Sequence, residues 1–221
     1  MSAFLIWMAL GIAAGIIWAS FFEWTFHRFF MHRPVRGFSY PFQMHALTHH
    51  RVFKADETYH LQNPADAHLV PMAWWNGPAL IGLCAIPFAL VSWLTGRWGL
   101  LCGSVASFMA YYAAYEYSHW CMHIPKSRTV ERVGIFFRMN GHHLLHHRYM
   151  NKNFNVVLPL ADFCLRTMLW RSKVRFAQAS GPSVPNVQPR HNRPNVDGLL
   201  TRETLAKPQR SPRNPVGMTS L

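Results

Sequence analysis

The sequence predicts an all-α integral membrane protein with about three transmembrane helices and a helical cap on the cytoplasmic side. Three long apolar runs, tryptophans near their ends and an uneven distribution of basic residues support this class. Half of the 221 residues are hydrophobic and only 14% are charged, whereas soluble domains usually contain about 25% charged residues. A chain of this length fits one domain with room for a tail.

The three apolar runs are long enough to cross a bilayer as helices. Residues 3–22 contain no charged side chain and would reach about 30 Å, the thickness of a hydrocarbon core. Residues 72–94 form the second run, interrupted only by one asparagine and two prolines, and residues 98–120 form the third after the turn sequence TGRWG. A buried hairpin of a soluble protein is the alternative, and the presence of three such runs argues against it.

The lysines and arginines predict the orientation of these spans. None precedes the first run, five lie between the first and second, one lies between the second and third, and the chain beyond is strongly basic. The positive-inside rule therefore puts residues 24–71 and 121–221 in the cytoplasm. The lack of positive charge before the first run also argues against a cleaved signal peptide. We expect a multi-pass protein of a bacterial inner membrane, or of the endoplasmic reticulum in a eukaryote.

The remaining composition bounds the domains and partners. The net charge of +13 is explained by topology and by contact with anionic lipid headgroups, so no nucleic-acid partner is expected. Residues 178–221 are basic and rich in proline, which predicts a disordered cytoplasmic tail after a membrane-embedded domain of residues 1–177. Four scattered cysteines form no CxxC pair, so they indicate neither a disulfide framework nor a thiolate metal site.

The candidate functional residues are histidines grouped in four boxes. HRFFMH and HALTHH follow the first predicted span, whereas HWCMH and HLLHH follow the third. All four boxes lie in regions assigned to the cytoplasm, so a bundle of the spans would bring them together under one membrane face. The ten histidines concerned are His27, His32, His45, His49, His50, His119, His123, His143, His146 and His147.

The spacing within the boxes suits metal binding. On a helix, residues three and four apart share a face, so His119 and His123 can point at one spot. The same holds for His143 with His146 and His147. Adjacent residues on a helix are about 100° apart, so an adjacent pair can reach two different centres.

Two metals fit the histidines better than one. His27 and His32 are five residues apart and should diverge, unless the helix ends between them. Boxes that split in this way favour two centres, and ten imidazoles exceed the demand of one tetrahedral zinc ion. A surface or interfacial role for histidine-rich helix ends is the alternative. Four boxes on one predicted side argue against it.

Two carboxylates lie beside the boxes, at the edges of the apolar spans. Glu23 precedes His27 by four residues and Glu116 precedes His119 by three. An unpaired charge is costly there, and a metal-bound histidine usually donates its other ring N–H to such a group. We therefore predict that each glutamate orients its neighbouring histidine. An ion pair at the helix end, such as Glu23 with Arg28, is the alternative.

The order HX4H, HX3HH, HX3H and HX2HH resembles the fatty acid hydroxylase and sterol desaturase superfamily of integral-membrane, non-haem di-metal oxygenases. EWTFHRFFMH resembles the first box of that family with its preceding glutamate. YEYSHWCMH and GHHLLHHRYMNKNFNV resemble the C-terminal half of the fatty acid 2-hydroxylase branch, and LADFCLRT resembles the segment that follows there. The similarity covers roughly residues 20–170.

The resemblance implies that the ten histidines hold two metal ions, which are iron in the active enzyme and can be zinc in purified protein. It implies O2 as co-substrate, electrons from outside and oxidation of an unactivated C–H bond in a lipid from the membrane. Hydroxylation and desaturation both remain open, as do acyl, sterol and carotenoid substrates, although the third and fourth boxes favour an acyl chain. No catalytic residue beyond the metal centre and no substrate-binding residue is identified.

The chain also departs from the family pattern. Its second box is HX3HH where the 2-hydroxylases more often have HX2HH, and Ala161 and Arg166 stand where tryptophan and glycine are usual. Family members often have four spans. No HPGG motif is present, so we expect no fused haem or flavin domain and a separate ferredoxin-like or haem donor docked on the basic face. His60, His68 and His142 receive no ligand role.

Two functions of a different class remain open. A membrane metal carrier would need polar groups along the spans to make a path, but their interiors are nearly featureless. A structural membrane protein whose metal only stabilises the cap is suggested by the departures at Ala161 and Arg166. The sequence does not indicate an oligomeric state.

Overall fold

A computed structural model describes residues 3–170, and these residues contain helices and loops but no strand. The α-helices are α1 (Ala3–Phe26), α2 (Tyr40–Met44), α3 (His50–Val52), α4 (Asn76–Thr95), α5 (Trp98–His123), α6 (Gly134–Arg148) and α7 (Leu160–Cys164). Two π-helical turns span His27–Met31 and His45–His49, and short 3-10 turns span Glu57–Tyr59, Pro64–Leu69 and Thr129–Arg132. The all-α class is confirmed for this part of the chain. The predicted tail, 178–221, lies outside it.

Two of the described helices are long and apolar enough to cross a membrane. They are Ala3–Met31, which is α1 with its π-helical turn, and α4, with mean hydropathies of 2.0 and 1.9. The third predicted span is the helix α5, but α5 does not reach the same hydropathy, because its second half contains four tyrosines and a glutamate. Helix α4 begins at Asn76 instead of residue 72, and Pro78 lies in its first turn, where a missing N–H is tolerated.

Helices α1 and α5 run in the same direction and pack closely through glycines. A Cβ at Gly103 would overlap the backbone of Met8, and one at Gly11 would overlap the backbone of α5. Four residues further along both helices, the Ser107 hydroxyl donates to the Ile12 carbonyl at 3.0 Å. Glycines spaced four apart allow such close packing. Because the two helices are parallel, the first and third histidine boxes emerge at the same end.

Helix α4 returns antiparallel to α5 and completes a three-helix bundle. Gly96 ends α4 in the left-handed conformation, with φ of 69°, which confirms the predicted turn. The rings of Phe88 and Phe108 meet edge to face at 5.5 Å between centroids. Cys84 and Ala19 join the same buried cluster. The bundle leaves a narrow space between its three helices near the histidine end.

The shorter elements cover the end of the bundle where α1 and α5 finish. Several hydrogen bonds between distant parts of the chain attach the segment around α7 to α1. The Trp24 indole N–H donates to the Thr167 hydroxyl at 2.8 Å, and the Ser20 hydroxyl donates to the Leu158 carbonyl at 2.7 Å. Phe154 packs on Trp24 from the same segment. This attachment fixes the loop after α6 against the first histidine box.

Candidate metal centre

All ten predicted histidines meet at the end of the bundle, in two groups of five. In each group the potential ligand atoms, one from each histidine, lie within 4.8 Å of one another. Cluster A consists of His27, His32, His45, His50 and His146, and cluster B of His49, His119, His123, His143 and His147. Each cluster therefore draws on distant parts of the sequence.

The first two boxes reach cluster A through π-helical turns. In a π-helix the hydrogen bond runs between residues five apart, so the fifth residue on lies near the first. The ring centroids of His27 and His32 are 5.0 Å apart, and those of His45 and His50 are 4.6 Å apart. His27 and His32 converge because the turn between them is π-helical and ends at Met31, which is the condition under which the prediction allowed convergence.

Adjacent histidines divide between the two clusters. His49 belongs to cluster B and His50 to cluster A, whereas His146 belongs to cluster A and His147 to cluster B. The rotation of about 100° between neighbours on a helix produces this division, as the sequence predicted. His143 joins His147 in cluster B, so the fourth box contributes to both clusters.

Backbone carbonyls hold the outer ring nitrogens of most of these histidines. The Nδ1–H groups of His27, His49, His123, His146 and His147 donate to the carbonyls of Phe154, Leu69, Tyr59, Lys152 and Phe53 respectively. His119 bonds in the same way to Val70. A proton on Nδ1 leaves a bare lone pair on Nε2. These carbonyls therefore fix both the tautomer and the orientation of the rings.

The inner nitrogens are arranged as metal ligands would be. The Nε2 atoms of His27 and His45 are 2.8 Å apart, and four further Nε2 pairs lie 3.0–3.2 Å apart. The Nε2 atoms of His49 and His119 are buried and have no hydrogen-bond partner among the described residues. Facing lone pairs repel unless a cation lies between them. The residues present therefore fit two metal ions, and imidazole suits iron as well as zinc.

Burial keeps the imidazoles in the neutral form that binds metal. Desolvation lowers the pKa of His49 and of His146 to about 4, although the hydrogen bond from each ring to a backbone carbonyl partly offsets this decrease. Desolvation and the neighbouring His146 and His49 lower the pKa of the half-buried His32 to about 2. Metals bind the neutral imidazole ring. These histidines are already neutral at pH 7, so they release no proton when they bind a metal.

The predicted contacts from the two glutamates to the histidines are not formed. Glu23 accepts from the Tyr111 hydroxyl at 2.6 Å and from the Val156 N–H at 2.6 Å. Its connection to cluster A is indirect, because Val156 lies two residues after Phe154, whose carbonyl accepts from His27. The prediction is therefore corrected. The carboxylate holds the segment that carries the acceptor.

Glu116 acts on cluster B in a similar way. Both of its carboxylate oxygens accept from the Met72 N–H, at 3.3 Å. The segment that immediately precedes Met72 supplies the carbonyls that hold His49 and His119. A backbone acceptor can come from any residue type, so this arrangement leaves no recognisable signal in the sequence.

Asp162 is the supporting carboxylate that spacing did not identify. It accepts from the backbone N–H groups of Phe154 and Asn155 at 3.0 and 2.8 Å, from the Thr167 hydroxyl at 2.6 Å and from His142 at 3.1 Å. Burial alone would raise the pKa of Asp162, but these bonds hold it below its ordinary value. His142 is thus engaged outside both clusters. The only signal in the sequence is the resemblance of LADFCLRT to a family segment.

The comparison with protein families agrees with this centre. A family model described as fatty acid hydroxylase matches residues 12–167, which include all ten clustered histidines. The chain belongs to the fatty acid hydroxylase family. Membership implies a histidine-box oxygenase that hydroxylates or desaturates lipids, and the family is typically membrane-bound. No curated protein and no solved structure matches the chain.

Two cavities in this hydroxylase family member are lined in part by its clustered histidines. One, of about 70 Å³, lies between α1, α4 and α5 and reaches His27. The other, of about 60 Å³, reaches His45, His49 and His119. The walls that both cavities share are Phe26, Met31, Met72 and Tyr115.

Proposed function

We propose that the protein hydroxylates a fatty acyl chain at a di-iron centre formed by clusters A and B, using O2 and electrons from a separate protein. The observation that carries this proposal is the convergence of ten imidazoles, in two groups of five, at the inner end of apolar cavities. Family membership supports lipid oxidation as the chemistry.

Each cluster would hold one iron ion, and the bound iron would supply the activation of O2. The contribution of the protein is to keep bare Nε2 lone pairs directed inward and to exclude water. Hydrogen bonds from rings such as His123 and His147 to backbone carbonyls keep the Nε2 lone pairs directed inward. Burial of nine of the ten histidines excludes water.

The cavities favour an unbranched hydrocarbon as substrate. Their volumes of about 60 and 70 Å³ admit a segment of a chain more readily than the fused rings of a sterol. The shared walls at Phe26, Met31 and Tyr115 would hold such a chain by apolar contact. A carbon beside His27 or His45 would then be presented to the centre. These walls do not provide the polar path that a metal carrier would need.

We place α1, α4 and α5 across the membrane, with both clusters on the cytoplasmic side. The parallel packing of α1 and α5 and the basic residues after each support this topology. Labelling with a membrane-impermeant maleimide tests it. Arg97→Cys, between α4 and α5, should react from outside intact cells. The exposed Cys164 should react only after the membrane is opened, and the reverse pattern would contradict the topology.

Lipid profiling of cells with and without the protein tests the reaction. We expect an acyl lipid that gains one oxygen, and no gain with the His119→Ala variant. Loss of two hydrogens instead would make the protein a desaturase. Metal analysis of the purified protein should give about two ions per chain. A preparation that binds no metal and yields no oxidised lipid would overturn the proposal.

A further inference from the structure

A third cavity reaches cluster A and differs from the other two because arginines line it. It has a volume of about 510 Å³ and is lined by Arg28, His32, Arg33, Asn151 and Phe154, among others. His32 is the most exposed member of the two clusters. Cluster A is therefore connected to the surface through the edge of a ligand ring.

The charge of this cavity is positive. Its lining contains two guanidinium groups and no carboxylate. Arg28 lies over the Trp24 ring at 4.9 Å, and Arg33 lies over the Phe29 ring at 5.4 Å. Such cation–π contacts hold the side chains in place without neutralising them. A fixed positive rim attracts an acidic partner and orients it.

We propose that this cavity is the docking site of the electron donor, which is an acidic redox protein, and that electrons reach cluster A through His32. The proposal rests on the proposed function. Hydroxylation consumes one C–H bond, one O2, two electrons and two protons and yields an alcohol and water. Two reduced one-electron donors must therefore be oxidised in each turnover. Electron transfer falls steeply with distance, so the donor must approach a ligand edge, and His32 provides one.

An anionic lipid headgroup is the competing occupant of the same arginines. Neither of the other two cavities that reach the clusters has an arginine or a lysine in its lining. A headgroup bound at Arg28 and Arg33 would therefore block the positively charged approach to cluster A. Because the reaction needs electrons from outside the protein, we favour the redox protein as the occupant of this cavity.

The experiment measures how fast a reduced acidic [2Fe–2S] ferredoxin reduces the iron-loaded enzyme, by stopped flow at low and high salt. Arg33→Glu is the test variant, because Arg33 is exposed and its only described ring contact is with Phe29. We expect reduction to slow by about tenfold or more at low salt. The difference should shrink at high salt, where surface charges are screened.

The matched control is Arg132→Glu, an equal change of charge at another exposed arginine. It should be reduced at the unaltered rate. Docking at this cavity is overturned if Arg33→Glu is reduced normally, or if Arg132→Glu slows reduction as much. It is also overturned if Arg33→Glu weakens only the binding of anionic lipid vesicles.

A small uncharged reductant distinguishes failure of the docking site from failure of the proposed function. If that reductant supports lipid hydroxylation in wild-type enzyme while ferredoxin reduces Arg33→Glu normally, the function stands and the docking site fails. If the purified protein holds no iron, or oxidises no lipid with either reductant, both fail together.

Discussion

Clusters A and B contain the same number of imidazoles, but the surrounding chain holds them differently. In cluster B all five rings are buried, and His49, His119, His123 and His147 each bond a backbone carbonyl. In cluster A one ring is half-buried, and within the described residues two rings, His27 and His146, have such a bond. Since outer hydrogen bonds raise metal affinity, we expect cluster B to retain its metal and cluster A to exchange it.

The largest effects should come from removing one ligand of each cluster. His146→Ala should lower the metal content from about two ions per chain to about one by emptying cluster A, and His119→Ala should do the same at cluster B. Both should reduce product by more than about a hundredfold, because loss of a ligand costs more than loss of an outer partner. Metal analysis and lipid profiling measure these effects. Turnover by either variant would show that the replaced histidine is not a required metal ligand.

A chelator should distinguish the clusters in the wild-type protein. We expect metal to leave in two phases, with the faster phase from cluster A, because the cavity at His32 admits a small polar chelator. The fast phase should be absent in His146→Ala and present in His119→Ala. Metal release is followed by absorbance. A single phase in the wild-type protein would show that the difference in burial has no kinetic consequence.

The supporting carboxylates should act on separate clusters. Asp162→Asn disturbs the loop that carries the acceptor for His27 and should weaken metal binding at cluster A by about 10- to 100-fold. Glu116→Gln should weaken cluster B by less, because the two bonds that it disturbs are long, at 3.3 Å. Affinities come from metal titration of each variant.

Glu131→Gln is the control for these two variants, because Glu131 bonds Lys126 and Arg128, which supply no acceptor to either cluster. It should leave both affinities unchanged. Equal losses at both clusters in Asp162→Asn would indicate general unfolding instead of a local effect on His27.

The smallest effect should come from the contact between the helices that carry the two clusters. Gly103→Ala would push against the Met8 backbone and should cost about 1–3 kcal/mol of unfolding free energy. Gly82→Ala is the control, because a Cβ there meets no atom within 4 Å, and it should leave stability unchanged or raise it by up to about 1 kcal/mol. Thermal unfolding in detergent measures both. Equal stability of the two variants would contradict the close packing.

The ten histidines of the metal centre could be predicted from the sequence, but their division into two clusters could not. Their grouping in four boxes identified all ten histidines, and in three of the boxes side chains three or four apart share a helix face. The assignment of His32 and His50 to cluster A depends on π-helical turns. Such turns are stabilised by surrounding contacts, so the spacing of five alone predicted divergence.

The supporting groups were predicted incorrectly for a related reason. The sequence pointed to Glu23 and Glu116, since carboxylates are recognisable residue types beside the boxes. The structure uses carbonyls of Phe53, Tyr59 and Leu69 among others, and places the carboxylates one step further out. Every residue has a carbonyl, so its use as an acceptor depends only on where the chain passes.

The sequence by itself determined the helical class, the long apolar helices and the ten imidazoles, because these follow from local periodicity and residue type. Tertiary structure decided the rest: which imidazoles share a cluster, which carbonyls orient them, and that cluster A meets a polar cavity at His32 while cluster B is buried. These features depend on contacts between distant segments, such as His27 and Phe154, which are 127 residues apart. Local patterns carry no information about such distances.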